Sequence, residues 1–253
     1  MYINVIGQGP ALVMLHGWSM HSAVWHDLAE SLAKHFTLYL VDLPGHGKSD
    51  WQTGALELDA LIVELAEILP AKAHILGWSL GGLISIAFAD RYPQRVDKLI
   101  LLAATPCFVK TANWPNAMEA TVFEAFADNL SLDQTATLQR FLLLQARGSK
   151  HSRQTINELS TQLAIETPPV DEALKAGLDL LINTDMRVEF SKLNCPLKLI
   201  LAERDTLIPA AMMVEAITLN SRLKTTLIAG AGHAPFIAEA DRCFDEIEQF
   251  LNE

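Results

Sequence analysis

Apolar residues in the first hundred positions fall into short continuous runs separated by helical stretches. Ala11–Leu15 is one run, closed by His16-Gly17. Phe36–Val41 (FTLYLV) is a second, closed by Asp42-Leu43-Pro44-Gly45. His74–Gly77 is a third, and Lys98–Ala103 (KLILLA) a fourth. Runs that are apolar throughout suit strands covered on both faces, as in a parallel sheet. Between the second and third runs, Leu58, Leu61, Leu65 and Leu69 recur at spacings of three and four, a helical period that Pro70 ends. Strand–helix alternation predicts an α/β fold with a mostly parallel sheet flanked by helices and joined by right-handed crossovers.

The rhythm changes after Cys107. From about Val109 to Glu189 no strand pattern stands out. Helical stretches take over at Ala117–Asn129, Leu132–Ala146, Ser152–Ile165 and Val170–Asn183, punctuated by Gly148 and Pro168-Pro169. The strand pattern returns at Leu197–Ala202 (LKLILA) and Thr225–Ile228. Helices enclosed between two sheet strands predict an insertion. Residues 1–108 and 190–253 then form one α/β core, and residues 109–189 a helical cap used as a lid. A separate all-helical domain is the alternative.

Length and composition fit this picture. A chain of 253 residues, half of them hydrophobic, can bury one large core. The net charge of −11 argues against general nucleic-acid binding, and an acidic partner would have to be met by a local basic patch. The three cysteines, Cys107, Cys195 and Cys243, lie far apart with no CxxC or Cys/His cluster. That pattern predicts buried or half-buried thiols, with no metal site or disulfide framework. No basic segment precedes an apolar one at the N-terminus, and no apolar run reaches the ~20 residues of a membrane helix. A cytoplasmic, monomeric protein without cofactor, membrane or nucleic-acid partner is the expectation.

The chemistry enters at Gly77-Trp78-Ser79-Leu80-Gly81-Gly82, between an apolar run and a helical pattern at Leu83–Ala89. This is G-x-S-x-G in a strand–turn–helix context, the signature of a nucleophile elbow. Small flanking residues let helix and strand approach, and the turn lifts the serine hydroxyl clear of the sheet. A buried serine in a Gly-rich turn is the bland alternative. A serine hydroxyl needs a base to take its proton. His233 follows the last strand pattern, in Gly230-Ala231-Gly232-His233-Ala234-Pro235-Phe236. Asp205 follows the strand before it, in Ala202-Glu203-Arg204-Asp205. Both sit just past the C-terminal ends of strands, where ligands bind open α/β sheets. The order Ser, Asp, His assigns Ser79 as nucleophile, His233 as general base and Asp205 as the acid that orients it. Glu203 competes with Asp205, but in an extended segment it points the other way. His21, His26, His35 and His74 are read as surface or helix-edge residues, and His151 as a solvated cap residue.

His16-Gly17-Trp18, after an early strand, fits the loop that supplies one oxyanion-hole donor. The donors are assigned to the backbone N–H groups of Trp18 and Leu80, with His16 bracing the loop. The Trp18 side chain is either a core indole or a pocket wall. The turn Asp42-Leu43-Pro44-Gly45-His46-Gly47-Lys48-Ser49 is read as structural. Asp at the elbow would fit dehalogenases and epoxide hydrolases, and Ser79 argues against both. General esterases, carbon–carbon bond hydrolases and perhydrolases keep the same three residues. A non-catalytic binding protein usually lacks one of them.

Together HGW, DLPGHGKS, GWSLGG, Thr105-Pro106-Cys107-Phe108 and the late HAPF resemble the BioH-like pimeloyl-[acyl-carrier protein] methyl ester carboxylesterases of the α/β-hydrolase superfamily, along nearly the whole chain. The resemblance implies hydrolysis of the methyl ester of pimeloyl-acyl carrier protein to methanol during biotin biosynthesis. It also implies that cap arginines hold the acidic carrier. Arg140, Arg147, Lys150 and Arg153 fall in a stretch free of acidic residues (RFLLLQARGSKHSR). In so acidic a chain that is a local basic patch able to meet an acidic protein or a phosphate; a solvated helix face is the alternative. Arg140 and Arg153 match family arginines, whereas Asn157 stands where one is expected. Phe141 matches a family pocket aromatic, with a plain core residue as the alternative.

Overall fold

The structure, a computed structural model, describes residues 1–253. Seven strands form one sheet in the order β1-β3-β2-β4-β5-β6-β7. They are β1 (Tyr2–Gly7), β2 (Ala11–Leu15), β3 (Thr37–Asp42), β4 (Ala73–Trp78), β5 (Val96–Leu102), β6 (Leu197–Ala202) and β7 (Lys224–Ile228). All neighbours are parallel except β1, which runs antiparallel to β3. β4 and β6 are buried at every position, the consequence of helices on both faces.

β1 is the strand the hydrophobic pattern did not reveal. Its sequence YINVIG is largely exposed at the sheet edge, so it carries no apolar run to read. The other strands lie within two residues of the predicted runs at either end.

Helices α1 (His26–Leu32), α2 (Leu58–Ile68) and α3 (Leu80–Arg91) alternate with the strands of the first half. Between β5 and β6 the chain makes no strand but five helices: α4 (Ala120–Leu130), α5 (Gln134–Ala146), α6 (Ser152–Leu163), α7 (Asp171–Asn183) and α8 (Arg187–Lys192). The first four match the predicted stretches. α8 was missed, because six residues are too few to display a helical period. After β6 come α9 (Met212–Leu219), then, past β7, α10 (Pro235–Ala238) and α11 (Ala240–Asn252). No helix is long and apolar enough to cross a membrane.

α3 is buried from Leu80 to Ala89. One side lies on β4 and β5, and the other lies beneath α7 and α8, so no face is left for water. The helices between β5 and β6 are tied to the core by the Met186 N–H on the Pro106 carbonyl (2.8 Å) and the Val170 N–H on the Gly45 carbonyl (3.2 Å).

Two histidines read as surface residues lie inside. His21 is buried because its Nδ1 accepts the Ala23 N–H at the start of a short 3₁₀ turn, Ser22–Trp25. His74 is buried because it lies in β4 against Phe36, and burial lowers its pKa. His26, His35 and His151 are exposed, as expected. The three cysteines are free thiols. Burial pushes Cys195 up to about 11 and Cys243 up to about 12, which leaves both protonated and unreactive at neutral pH.

Candidate active site

Ser79 sits between the end of β4 and the start of α3 with φ 54°, a left-handed conformation that few non-glycine residues adopt. The glycines around it leave no room for a side chain. A Cβ on Gly81 would run into the Leu15 carbonyl oxygen, and one on Gly77 into the Gly81 carbonyl oxygen and Ser85 Oγ. Strand and helix therefore meet backbone to backbone, and the turn stays sharp.

Three loops beyond the C-terminal ends of β4, β6 and β7 bring Ser79, Asp205 and His233 together. His233 Nε2 lies 2.9 Å from Ser79 Oγ, and His233 Nδ1 lies 2.8 Å from Asp205 Oδ2. A carboxylate can only accept, so Nδ1 carries the proton and Nε2 presents its lone pair to the serine hydroxyl. The other carboxylate oxygen, Oδ1, accepts the N–H groups of Leu207 (2.8 Å) and Ile208 (3.0 Å), which lock the acid's orientation. All three residues are buried. Glu203 points elsewhere: its Oε2 accepts the Gly230 N–H at 2.8 Å and braces the base loop from outside.

The loop after β2 is braced by buried histidines. His16 Nδ1 donates to the Gly17 carbonyl (2.8 Å), and its Nε2 accepts the Leu43 N–H (3.0 Å). Burial, reinforced by the neighbouring His46, pushes His16 down to about 3. His46 donates from Nδ1 to the Pro44 carbonyl (2.9 Å), and burial pushes it down to about 4. Both rings are therefore neutral struts at working pH. Burial alone would raise the Asp42 pKa, but the N–H groups of Lys48 (2.9 Å) and Ser22 (2.7 Å) outweigh it and hold that carboxylate below its ordinary range. Gly17 lies against Ser79: a Cβ there would be 3.2 Å from Ser79 Cβ. The backbone N–H groups of Trp18 and Leu80 donate to no protein acceptor. For Leu80 this follows from its place as the first residue of α3.

The Trp18 indole is a buried strut. It donates to the Leu174 carbonyl of α7 at 2.8 Å and meets Phe141 of α5 edge to face, with ring centroids 4.6 Å apart. Phe126 of α4 packs against both, at 6.3 Å from Trp18 and 5.6 Å from Phe141. From Phe126 a groove of about 330 Å³ runs outward between α4 and α5, with Arg140 on its wall. A larger cleft of about 560 Å³ lies between β1, α1 and the end of α6, and no triad residue lines it.

Arg140, Arg147, Lys150 and Arg153 are all exposed. Ion pairs elsewhere on the surface involve other cations, joining Lys48 to Glu166 and Arg204 to Glu203. Lys150 and Arg153 line one open polar groove together with Asn157.

The turn that carries Arg147 and Lys150 is also hydrogen-bonded to the loop of His233. The His233 N–H donates to the Gln145 carbonyl (2.8 Å), and the Lys150 N–H to the Gly230 carbonyl (2.9 Å). Gln145 is a residue that sequence reasoning missed. Its side chain is buried, and neither end of its amide has a partner. Its signal was present but faint: with Thr137 it is one of two polar residues on the buried α5 face formed with Leu138, Phe141 and Leu142.

Residues 10–240 match the family model described as alpha/beta hydrolase fold, so the chain belongs to the α/β-hydrolase family. Among solved structures, an esterase from Exiguobacterium antarcticum superposes with a TM-score of 0.89 at 19% identity, over 100% of this chain and 95% of that one. A bromoperoxidase from Bacillus anthracis superposes with a TM-score of 0.90 at 20% identity, over the same shares. These two establish the fold alone. A pimeloyl-[acyl-carrier protein] methyl ester esterase of Xanthomonas oryzae pv. oryzae is 44% identical over 99% of this chain and 98% of its own length. Its namesake from Xylella fastidiosa is 44% identical over the same shares. Within the α/β hydrolases the chain belongs to this esterase family, and it is a carboxylic ester hydrolase.

Proposed function

We propose that the chain hydrolyses the methyl ester of pimeloyl-acyl carrier protein, releasing methanol and leaving the free pimeloyl carboxylate on the carrier, a step of biotin biosynthesis in the cytoplasm. The observation that carries this reading is 44% identity to esterases of that name over 99% of the chain. The helices between β5 and β6 serve as the lid over the site, and the monomer is the working unit.

In this reading Ser79 Oγ attacks the ester carbonyl carbon while His233 Nε2 takes its proton. The negative charge that develops on the carbonyl oxygen is met by the free N–H groups of Trp18 and Leu80. Asp205 stabilises the imidazolium without taking its proton. The tetrahedral adduct collapses by breaking the bond to the methoxy oxygen, which leaves as methanol with the proton from His233. Water then attacks the acyl-Ser79 ester as His233 removes its proton. Collapse returns that proton to Ser79 Oγ and frees the acid.

Trp18, Phe126 and Phe141 supply apolar walls for the acyl chain. The Gln145 amide, desolvated and unpartnered, supplies a donor and an acceptor for a polar group of the substrate. Arg140, Arg147, Lys150 and Arg153 receive the acidic carrier.

Mass spectrometry of the carrier tests the reading. After incubation, pimeloyl-acyl carrier protein methyl ester should become lighter by one methylene, with methanol released in equal amount. A carrier ester of unchanged mass beside active cleavage of small esters would contradict it.

A further inference from the structure

We propose that Trp78, the residue before the nucleophile, is a positioning residue: its indole sets the base loop and the oxyanion loop at one fixed separation from Ser79. The proposal rests on the roles of Ser79 and His233 given above. G-x-S-x-G accepts any residue at this position, and the ester chemistry asks nothing of a side chain there. The observations give this one a task.

The Trp78 side chain is buried, and its Nε1–H donates to the His233 carbonyl at 2.8 Å. Its ring stands 5.8 Å from the His233 imidazole. The same ring packs on Gly17, where a Cβ would approach Cε3 to 3.0 Å and Cδ2 to 3.2 Å. Phe236 at 5.0 Å and Trp25 at 6.1 Å close in with near-perpendicular rings, which leaves the indole one seat. Nucleophile, base and oxyanion donor thus come from three separate segments that meet on one rigid ring.

The His233 peptide is pinned at both ends. Its N–H is held by Gln145 of α5, and its carbonyl by Trp78. Without the indole N–H the carbonyl is buried without a donor, and the His233 peptide is held only through its N–H on the Gln145 carbonyl of α5.

Trp78→Phe keeps an aromatic body and deletes the N–H. Four quantities are read: kcat and KM on p-nitrophenyl butyrate, and the rate and stoichiometry of Ser79 labelling by a fluorophosphonate. We expect kcat to fall about tenfold or more, because small misplacement of reacting groups is costly. KM should stay within about twofold. Labelling should slow by the same factor as kcat yet reach completion, since every molecule is folded. Wild-type kcat and labelling rate in folded Trp78→Phe would overturn the proposal. So would a kcat that falls only in proportion to the fraction labelled, which is a folding defect.

The wild-type protein supplies a second measurement. The Trp78 indole N–H resonance should resist hydrogen exchange and shift when Ser79 is phosphonylated. An indole indifferent to phosphonylation would overturn the proposal even if Trp78→Phe does not fold. Failure of wild-type Ser79 to react with the fluorophosphonate at all would overturn the Ser79 assignment instead.

Discussion

His233 faces Ser79 with a lone pair because Asp205 holds its Nδ1 proton, and Asp205 keeps its own orientation through the N–H groups of Leu207 and Ile208. Removing any one of these contacts removes a defined part of the mechanism. Ser79→Ala should lower kcat on p-nitrophenyl butyrate by about 10⁴-fold or more with little change in melting temperature. Asp205→Asn should cost about 10³–10⁴-fold, because an amide N–H turned toward His233 favours the wrong tautomer. Activity within about tenfold of wild type in either variant would contradict the assignment. At this scale the sequence was informative where residue type and spacing carry the chemistry, as for Ser79, Asp205 and His233. It was silent on the roles of Gln145 and Trp78, and it placed His21 at the surface although the ring is buried. Their importance lies in a missing or a single hydrogen-bond partner, which depends on packing between distant segments.

Between strand and helix, small residues and neutral histidines decide the geometry. Gly81 allows α3 to sit on the end of β2, where a Cβ would strike the Leu15 carbonyl. Gly81→Ala should therefore destabilise the protein by about 1–3 kcal/mol, or prevent folding, as an overpacked contact does. A denaturation midpoint equal to wild type would show that the turn can relax. His16 and His46 have folded pKa values of about 3 and about 4, below the ~6.5 of an unfolded histidine. The unfolded chain takes up their protons first, so their contribution to stability is complete above pH ~6.5 and is lost as pH falls toward the folded values. Melting temperature should fall between pH 7 and pH 5, and less steeply in His46→Asn. Equal slopes in the two proteins would remove His46 from the account. Elements were legible where their buried positions formed an apolar run or a helical period, as in β4, β6 and α5. The edge strand β1 and the six-residue α8 were not, since neither has enough buried positions to set a pattern.

For the molecule as a whole, an acidic chain carries an exposed basic stretch, Arg140 to Arg153, that is hydrogen-bonded to the loop of His233. The patch residues were readable as a charge run against a net charge of −11. Their link to His233 through Gln145 and Lys150 was not, because it joins residues far apart in the chain. Reversing two of the charges, Arg140→Glu with Arg153→Glu, should raise KM for the carrier-bound ester about tenfold or more and leave a small free ester unaffected. Equal loss on both substrates would mean a damaged pocket rather than a lost docking surface. The central claim is that this esterase acts on a carrier-borne methyl ester through Ser79. Its most direct test is kcat/KM for pimeloyl-acyl carrier protein methyl ester beside that for p-nitrophenyl butyrate, in wild type and in Ser79→Ala. The account predicts a preference for the carrier ester in wild type and loss of both activities in Ser79→Ala. Turnover of the small ester alone, with the carrier ester untouched, would contradict it.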